Sequence, residues 1–201
     1  MPKPARAEPR LTVVEAVPEA RGRETLMRVW DPFVRIFHWS LVSCFVIAYL
    51  SRHDSAAIHH LAGYAAGGLV VLRVAWGVLG TRYARFSSFV RHPRTVFSYL
   101  RDIATGREAR HIGHNPAGGA MVLALMAAML ATATSGWMMT TDRYWGVEWV
   151  GTLHAYCAHA VVILVLLHLG GVAVASLRHR ENLVRAMVTG RKRAPEADDI
   201  D

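Results

Sequence analysis

Four long apolar blocks, set apart by polar connections, dominate this 201-residue chain. A helix that crosses hydrocarbon needs roughly 20 mostly apolar residues, and each block is about that long. The first opens at Asp31-Pro32, a good N-cap followed by proline at the first helical position, and predicts a helix over 32–51. The second predicts 58–79 and the fourth 150–177, while the third, opened by Asn115-Pro116 in the same style, predicts 116–140. No strand-like alternation competes, and lipid admits only helices or closed barrels. The expected fold is therefore an all-α membrane protein, a four-transmembrane-helix bundle over residues 28–189. Residues 1–27 and 190–201, rich in charge and poor in apolar side chains, are expected to be disordered tails. The first 28 residues contain no apolar stretch of the kind a secretory signal needs.

Composition then removes several classes. At 53% apolar and 19% charged residues, the chain departs from the ~25% charge usual for a soluble domain. Its two cysteines, Cys44 and Cys157, lie inside apolar blocks, so neither a disulfide framework nor a thiolate zinc site is supported. The net charge of +8 is distributed by connection. The N-terminal tail holds six basic residues, the connection 80–115 seven and the C-terminal tail six, against Arg52 and Arg143 alone in the other two connections. The positive-inside rule reads this as both termini cytoplasmic, with anionic lipid headgroups as partners of the arginines. Nucleic acid is not expected, because the basic residues flank spans and no recognition motif accompanies them. In 80–115, Phe89, Val90, Val96, Phe97, Leu100 and Ile103 recur near helical spacing, which predicts an amphipathic helix on the membrane surface.

Histidines inside the spans carry the chemistry. An ionisable group buried in hydrocarbon is costly and marks a functional site by default, although a neutral imidazole bonded to a neighbouring carbonyl is the structural alternative. His38 lies about two turns into the first helix, His59 and His60 open the second, and His154, His159 and His168 lie on the fourth. His154 and His168 are 14 residues apart, which at ~100° and ~1.5 Å per residue places them on one face ~21 Å apart. His159 points elsewhere and is expected to pack or to hydrogen-bond. By depth, His38 pairs with His168 near the cytoplasmic side, and His59 or His60 with His154 near the outer side. Facing imidazoles are how bundles hold metals and cofactors, and with no acid or thiolate nearby they suit bis-histidine haem better than a bare metal ion. Gly63, Ala65, Ala66, Gly67, Gly68, Gly170 and Gly171 offer either a cleft for such a group or close helix packing. Arg73, 14 residues after His59, is a candidate partner for haem propionates, or a snorkelling arginine. Ser40, Thr132, Thr134, Tyr64 and Tyr156 could support the ligands, though helix packing also accounts for them.

Further stretches then carry a family likeness: VWDPFVRIFHWSL (29–41), HxxxGY (59–64), RVAWGVLGTRYARFSSFV (73–90), GHNPAGG (113–119), SGWMM (135–139) and HRENLVRAMVTGRKR (179–193). In these the chain resembles the prokaryotic four-helix di-haem cytochromes b, which include the b-type subunit of nickel–iron hydrogenases. The resemblance implies two haem b groups, with iron ligands His38 and His168 on the cytoplasmic side and His59 and His154 on the periplasmic side. It selects His59 over His60, because the helix-two ligand precedes a glycine by four residues. Where the family commonly has an acid after the first helix-four histidine, this chain has Ala155, which changes the support available to His154.

The resemblance implies a bacterial inner-membrane electron carrier between a quinone pool and a redox partner, such as a hydrogenase, a c-type cytochrome or another periplasmic oxidoreductase. It would act as a subunit of a complex more than as a complete enzyme. A stand-alone superoxide:quinone oxidoreductase is the alternative. A histidine-based proton or metal transporter fits less well, since Asp54, Asp142 and Glu148 all lie in connections. His53, His111 and His114 are titratable candidates near the interfaces for a quinone site, or are simply solvated.

Overall fold

Each long helix begins where a polar side chain can take up a free N–H of its first turn. Asp31 accepts from the Val34 amide at 2.8 Å and starts α1 (Pro32–Ser51). Ser55 caps α2 (Ala56–Leu79), and Asn115 accepts from the Gly118 amide at 2.6 Å to start α5 (Pro116–Met139). The fourth span, α6 (Glu148–Arg178), has no side-chain cap and runs for 31 residues. At ~1.5 Å per residue it exceeds the ~30 Å hydrocarbon core. These elements come from a computed structural model, which describes residues 26–195 and 199–200. The four spans match the four apolar blocks, with α2 starting two residues earlier than expected because Ser55 supplies its cap.

The helices form two antiparallel hairpins, α1–α2 and α5–α6, joined through contacts between α2 and α5. Packing at mid-bundle centres on Ala66, Val70, Met126, Met129 and Val161. Gly67 lies against Ala133, where an added Cβ would sit 3.0 Å away. Outward faces carry Ile36, Leu61, Leu79 and Leu166, all more than 60% exposed, as lipid-facing surfaces do.

Everything at the termini end is tied together. The connection between α2 and α5 holds a short 3₁₀ turn (Arg82–Ala84), α3 (Phe86–Phe89) and α4 (Pro93–Thr105). The α4 segment matches the expected amphipathic helix, with Phe97 and Leu100 exposed. Phe89 departs from that reading, since it is fully buried. An added Cβ on Gly119 would come 2.6 Å from its carbonyl oxygen, so α3 sits directly on the first turn of α5.

The C-terminal segment departs from expectation as well. After α7 (Leu183–Thr189), Gly190 turns the chain with φ +79°. Strand β2 (Arg191–Arg193) then pairs antiparallel with β1 (Leu26–Arg28). The predicted tail of 190–201 is thus packed at 190–193. Of the predicted tail 1–27, Leu26 and Met27 lie in β1, and residues 1–25 lie outside the described residues. The reason is a buried charge cluster. Arg110 pairs with Glu181 at 3.1 Å and with Asp199, while Lys192 donates to the carbonyls of His111 (3.1 Å) and Ile112 (3.0 Å). Lys192 lies 3.5 Å from Glu181. Lys192, read from sequence as one of the tail's lipid-facing cations, is only 5% exposed.

Burial pushes the Glu181 carboxyl upward, but the hydrogen bond from Arg110, the Lys192 charge and the Arg193 amide outweigh it, so its pKa lies below the ordinary 4.5. A carboxylate depressed in this way stabilises the fold above its unfolded pKa, and that contribution is lost as pH falls through the folded one. Glu181→Gln, which leaves Asp199 as the one carboxylate of the described residues facing buried Arg110 and Lys192, is expected to destabilise this end by about 3 kcal/mol. Limited proteolysis in detergent at neutral pH is expected to cut the variant first within residues 180–195. The parent protein is expected to reach the same sensitivity only when acidified below the ordinary carboxylate range.

Candidate functional site

At the end of the bundle opposite the termini, His59 on α2 and His154 on α6 face each other with ring centroids 6.0 Å apart. Each has one ring nitrogen already satisfied. His59 Nδ1 lies 2.8 Å from the Ala48 carbonyl oxygen on α1. His154 Nδ1 lies 3.0 Å from the Thr132 carbonyl oxygen and 3.3 Å from Ser135 Oγ on α5. A carbonyl accepts only, so it fixes Nδ1 as the donor and leaves Nε2 as a lone-pair nitrogen. The acid that Ala155 replaces is therefore not needed to orient this ring. Gly136 completes the seat, for an added Cβ would lie 3.1 Å from His154 Cε1. His60 is exposed and stacks loosely on Tyr64, whose hydroxyl bonds Thr140 Oγ1 at 2.9 Å.

The backbones around this pair stand apart. Neither α1 nor α2 is packed closely against α6, although α1–α2 and α5–α6 are tight hairpins. Two imidazoles on opposite sides of one metal ion, each with a metal–nitrogen bond of ~2 Å, have centroids ~6 Å apart, as His59 and His154 do. One turn on from His59, an added Cβ on Gly63 would meet nothing within 4 Å, and the same holds farther along the bundle at the exposed Gly68, Gly170 and Gly171. The glycines thus divide: Gly67 serves packing, while these four leave open space. The donor set and the gap fit a flat metal-bearing group that the two histidines would hold.

Toward the termini end, His38 on α1 and His168 on α6 lie close enough for their charges to interact. His38 Nδ1 is buried with no hydrogen-bond partner among the described residues. Arg73 on α2 is 2% exposed; it donates to the Ala84 carbonyl at 2.9 Å, while its Nη1 is buried without a hydrogen-bond partner among the described residues. A buried guanidinium with an unpaired N–H fits an anionic group of a bound cofactor better than a snorkelling side chain. Asp31, at the start of α1, accepts from Trp76 Nε1 (3.2 Å) and Thr81 Oγ1 (2.5 Å). Those bonds, with the Val34 amide and the Arg73 charge, hold its carboxyl below the ordinary value against the opposing effect of burial.

Other histidines fall into structural places. His159 is exposed with no hydrogen-bond partner among the described residues, which replaces the expected packing or bonding role. His53 is exposed at the α1–α2 turn. His111 gives Nδ1 to its neighbour Ala109 (3.1 Å) and its carbonyl to Lys192, so it belongs to the charge cluster. His114 is wedged between Trp30 and Phe89, both at 4.7 Å. Among the candidate supporting hydroxyls, that of Thr132 turns back to Ala128, while Thr134 and Tyr156 are exposed. Ser135 and the carbonyls of Ala48 and Thr132 were not singled out from sequence. Ser135 could have been, from its place in SGWMM; a backbone carbonyl leaves no residue signal.

A four-helix membrane bundle with imidazoles paired across its interior gap belongs to the haem-carrying membrane cytochromes. The sequence pattern of the prokaryotic cytochrome b561 family matches residues 29–190, and the chain belongs to that family. It is a multi-pass membrane b-type cytochrome whose class of activity is electron transport. No curated protein matches the chain.

Because Gly136 leaves no slack beside His154, Gly136→Val is expected to push that ring off its carbonyl and to lower the haem bound per chain. Gly136→Ala is expected to cost much less. Pyridine haemochrome quantitation of the purified variants checks both.

Proposed function

We propose that this cytochrome holds two haem b groups, one between His59 and His154 and one between His38 and His168, and carries electrons between them. The observation that supports it most is the 6.0 Å pair of rings at His59 and His154, with both Nδ1 atoms committed to backbone carbonyls. When bound, haem would supply reversible one-electron chemistry, and the histidines of each pair would hold its iron.

The chain's own residues do the rest. Ala48 and Thr132 carbonyls hold the outer rings in one tautomer and raise their basicity as ligands. Met126, Met129 and Val161 between the two levels keep water out of the bundle core. Arg73 offers its free N–H to a propionate at the termini end. The basic residues gathered in both tails and in 80–115 support a cytoplasmic location for that end in a bacterial inner membrane. The His59–His154 level then lies toward the periplasm.

Such a protein passes electrons between the quinone pool and a redox partner at a membrane surface, as a component of a larger oxidoreductase system. A reduced-minus-oxidised visible spectrum with haem quantitation tests this. Two low-spin b haems per chain are expected. His59→Ala or His154→Ala is expected to remove one, and His38→Ala or His168→Ala the other. Full haem content in His59→Ala together with loss in His60→Ala would overturn the outer pairing. Folded protein without haem would overturn the whole reading.

A further inference from the structure

Two buried polar nitrogens at the termini end have no hydrogen-bond partner among the described residues, and a run of aromatic rings links them. Arg73 Nη1 and His114 Nδ1 are both buried without a hydrogen-bond partner among the described residues. The guanidinium carbon of Arg73 sits 5.5 Å from the centre of the Phe86 ring. Phe86 and Phe89 lie 5.7 Å apart, and Phe89 packs on His114 at 4.7 Å. Both phenylalanines are fixed by glycines on other helices. A Cβ on Gly77 of α2 would come within 2.2 Å of Phe86, and one on Gly119 of α5 within 2.6 Å of the Phe89 carbonyl. Trp30 closes the other face of the imidazole at 4.7 Å.

Charge selects the ligand for these donors. A buried arginine keeps its proton and requires an opposite charge nearby. No carboxylate of the described residues is paired with Arg73, and Asp31, the acid acting on it, is already bonded to Val34, Trp76 and Thr81. His114 is held neutral by burial first, then by the charges of Arg73 and Lys192, with a pKa down to about 3. A neutral imidazole adds a hydrogen-bond donor without adding a second buried charge. One positive fork beside one neutral donor is complementary to a single carboxylate.

We propose that Arg73 and His114 together clamp one propionate carboxylate of the haem held at the termini end, making His114 a positioning residue for that haem. This rests on the His38–His168 assignment. The clamp stabilises the ionised carboxylate, and it offsets negative charge that would otherwise favour oxidised iron.

Spectroelectrochemical titration of the purified holoprotein, with haem quantitation, tests it. His114→Phe fills the aromatic sandwich but removes both ring nitrogens, while His114→Gln restores a donor. With two haems still bound, His114→Phe is expected to lower the midpoint potential of one haem only, and His114→Gln to recover part of the shift. Arg73→Gln is expected to lower the same potential further, and the double variant to shift less than the sum. In a His38→Ala background, the remaining haem is expected to be indifferent to His114→Phe. Unchanged potentials in His114→Phe, equal shifts of both haems, or a shift that persists in the His38→Ala background would overturn the clamp. If His38→Ala and His168→Ala remove no haem, the underlying ligand assignment fails instead, a result read from haem content alone. Should Arg73→Gln not fold, the His114 pair of variants decides the question.

Discussion

A histidine ring inside hydrocarbon has two nitrogens to satisfy and no water to satisfy them. That constraint organises this bundle. At the level far from the termini one nitrogen of each ring is given to a helix carbonyl that has bonding capacity to spare, at Ala48 and Thr132. The other nitrogen keeps its lone pair, beside a gap between helices that packing would otherwise close. Holding that gap open demands rigid walls, which the two tight hairpins provide. It also demands small residues at the right heights, so glycine is split between touching a neighbouring helix at Gly67 and leaving room at Gly63 and Gly171.

The termini end answers a different demand. There the protein carries many cations, and several are buried. Lys192 and Arg110 share Glu181, and both draw on carbonyls from neighbouring segments. Asp31 caps α1 while taking bonds from the end of α2 and the turn after it. These carboxylates knit the entry of the first span, the long connection and the exit of the last span into one polar floor beneath the apolar bundle. The pairing of β1 with β2 follows from that floor, because Gly190 brings the chain back under Trp30 with its carbonyl accepting from Val29 and Trp30.

Much of this was legible in the residues. Span positions follow from hydropathy and from the Asp-Pro and Asn-Pro signals, since both act locally. The family likeness rested on motifs that sit at helix ends and turns, where few residue types fit. What could not be read was long-range. The order of residues 190–193 depends on Glu181 meeting Arg110, 71 positions away, and a run such as Arg-Lys-Arg looks the same whether solvated or buried. Phe89 had the spacing of an amphipathic stripe, yet the turn before α4 swings it inward. His114 carried no periodic signal because it lies on a connection, and only its aromatic neighbours mark it out. The choice between His59 and His60 turned on a glycine four residues on, and the structure sets His59 against His154 while His60 faces out.

One continuous rod carries a histidine of each pair. His154 and His168 sit on α6 with no proline, bulge or break between them, so their separation is a whole number of peptide steps and cannot be adjusted by sliding. Evolution could retune such a pair by changing what surrounds each ring, one carbonyl, hydroxyl or charge at a time. The spacing itself is quantised: a single inserted residue would rotate one imidazole by ~100° about the helix axis and abolish one level while sparing the other. In α6 the protein has a ruler whose markings are fixed by backbone geometry, and all its freedom lies in the lining.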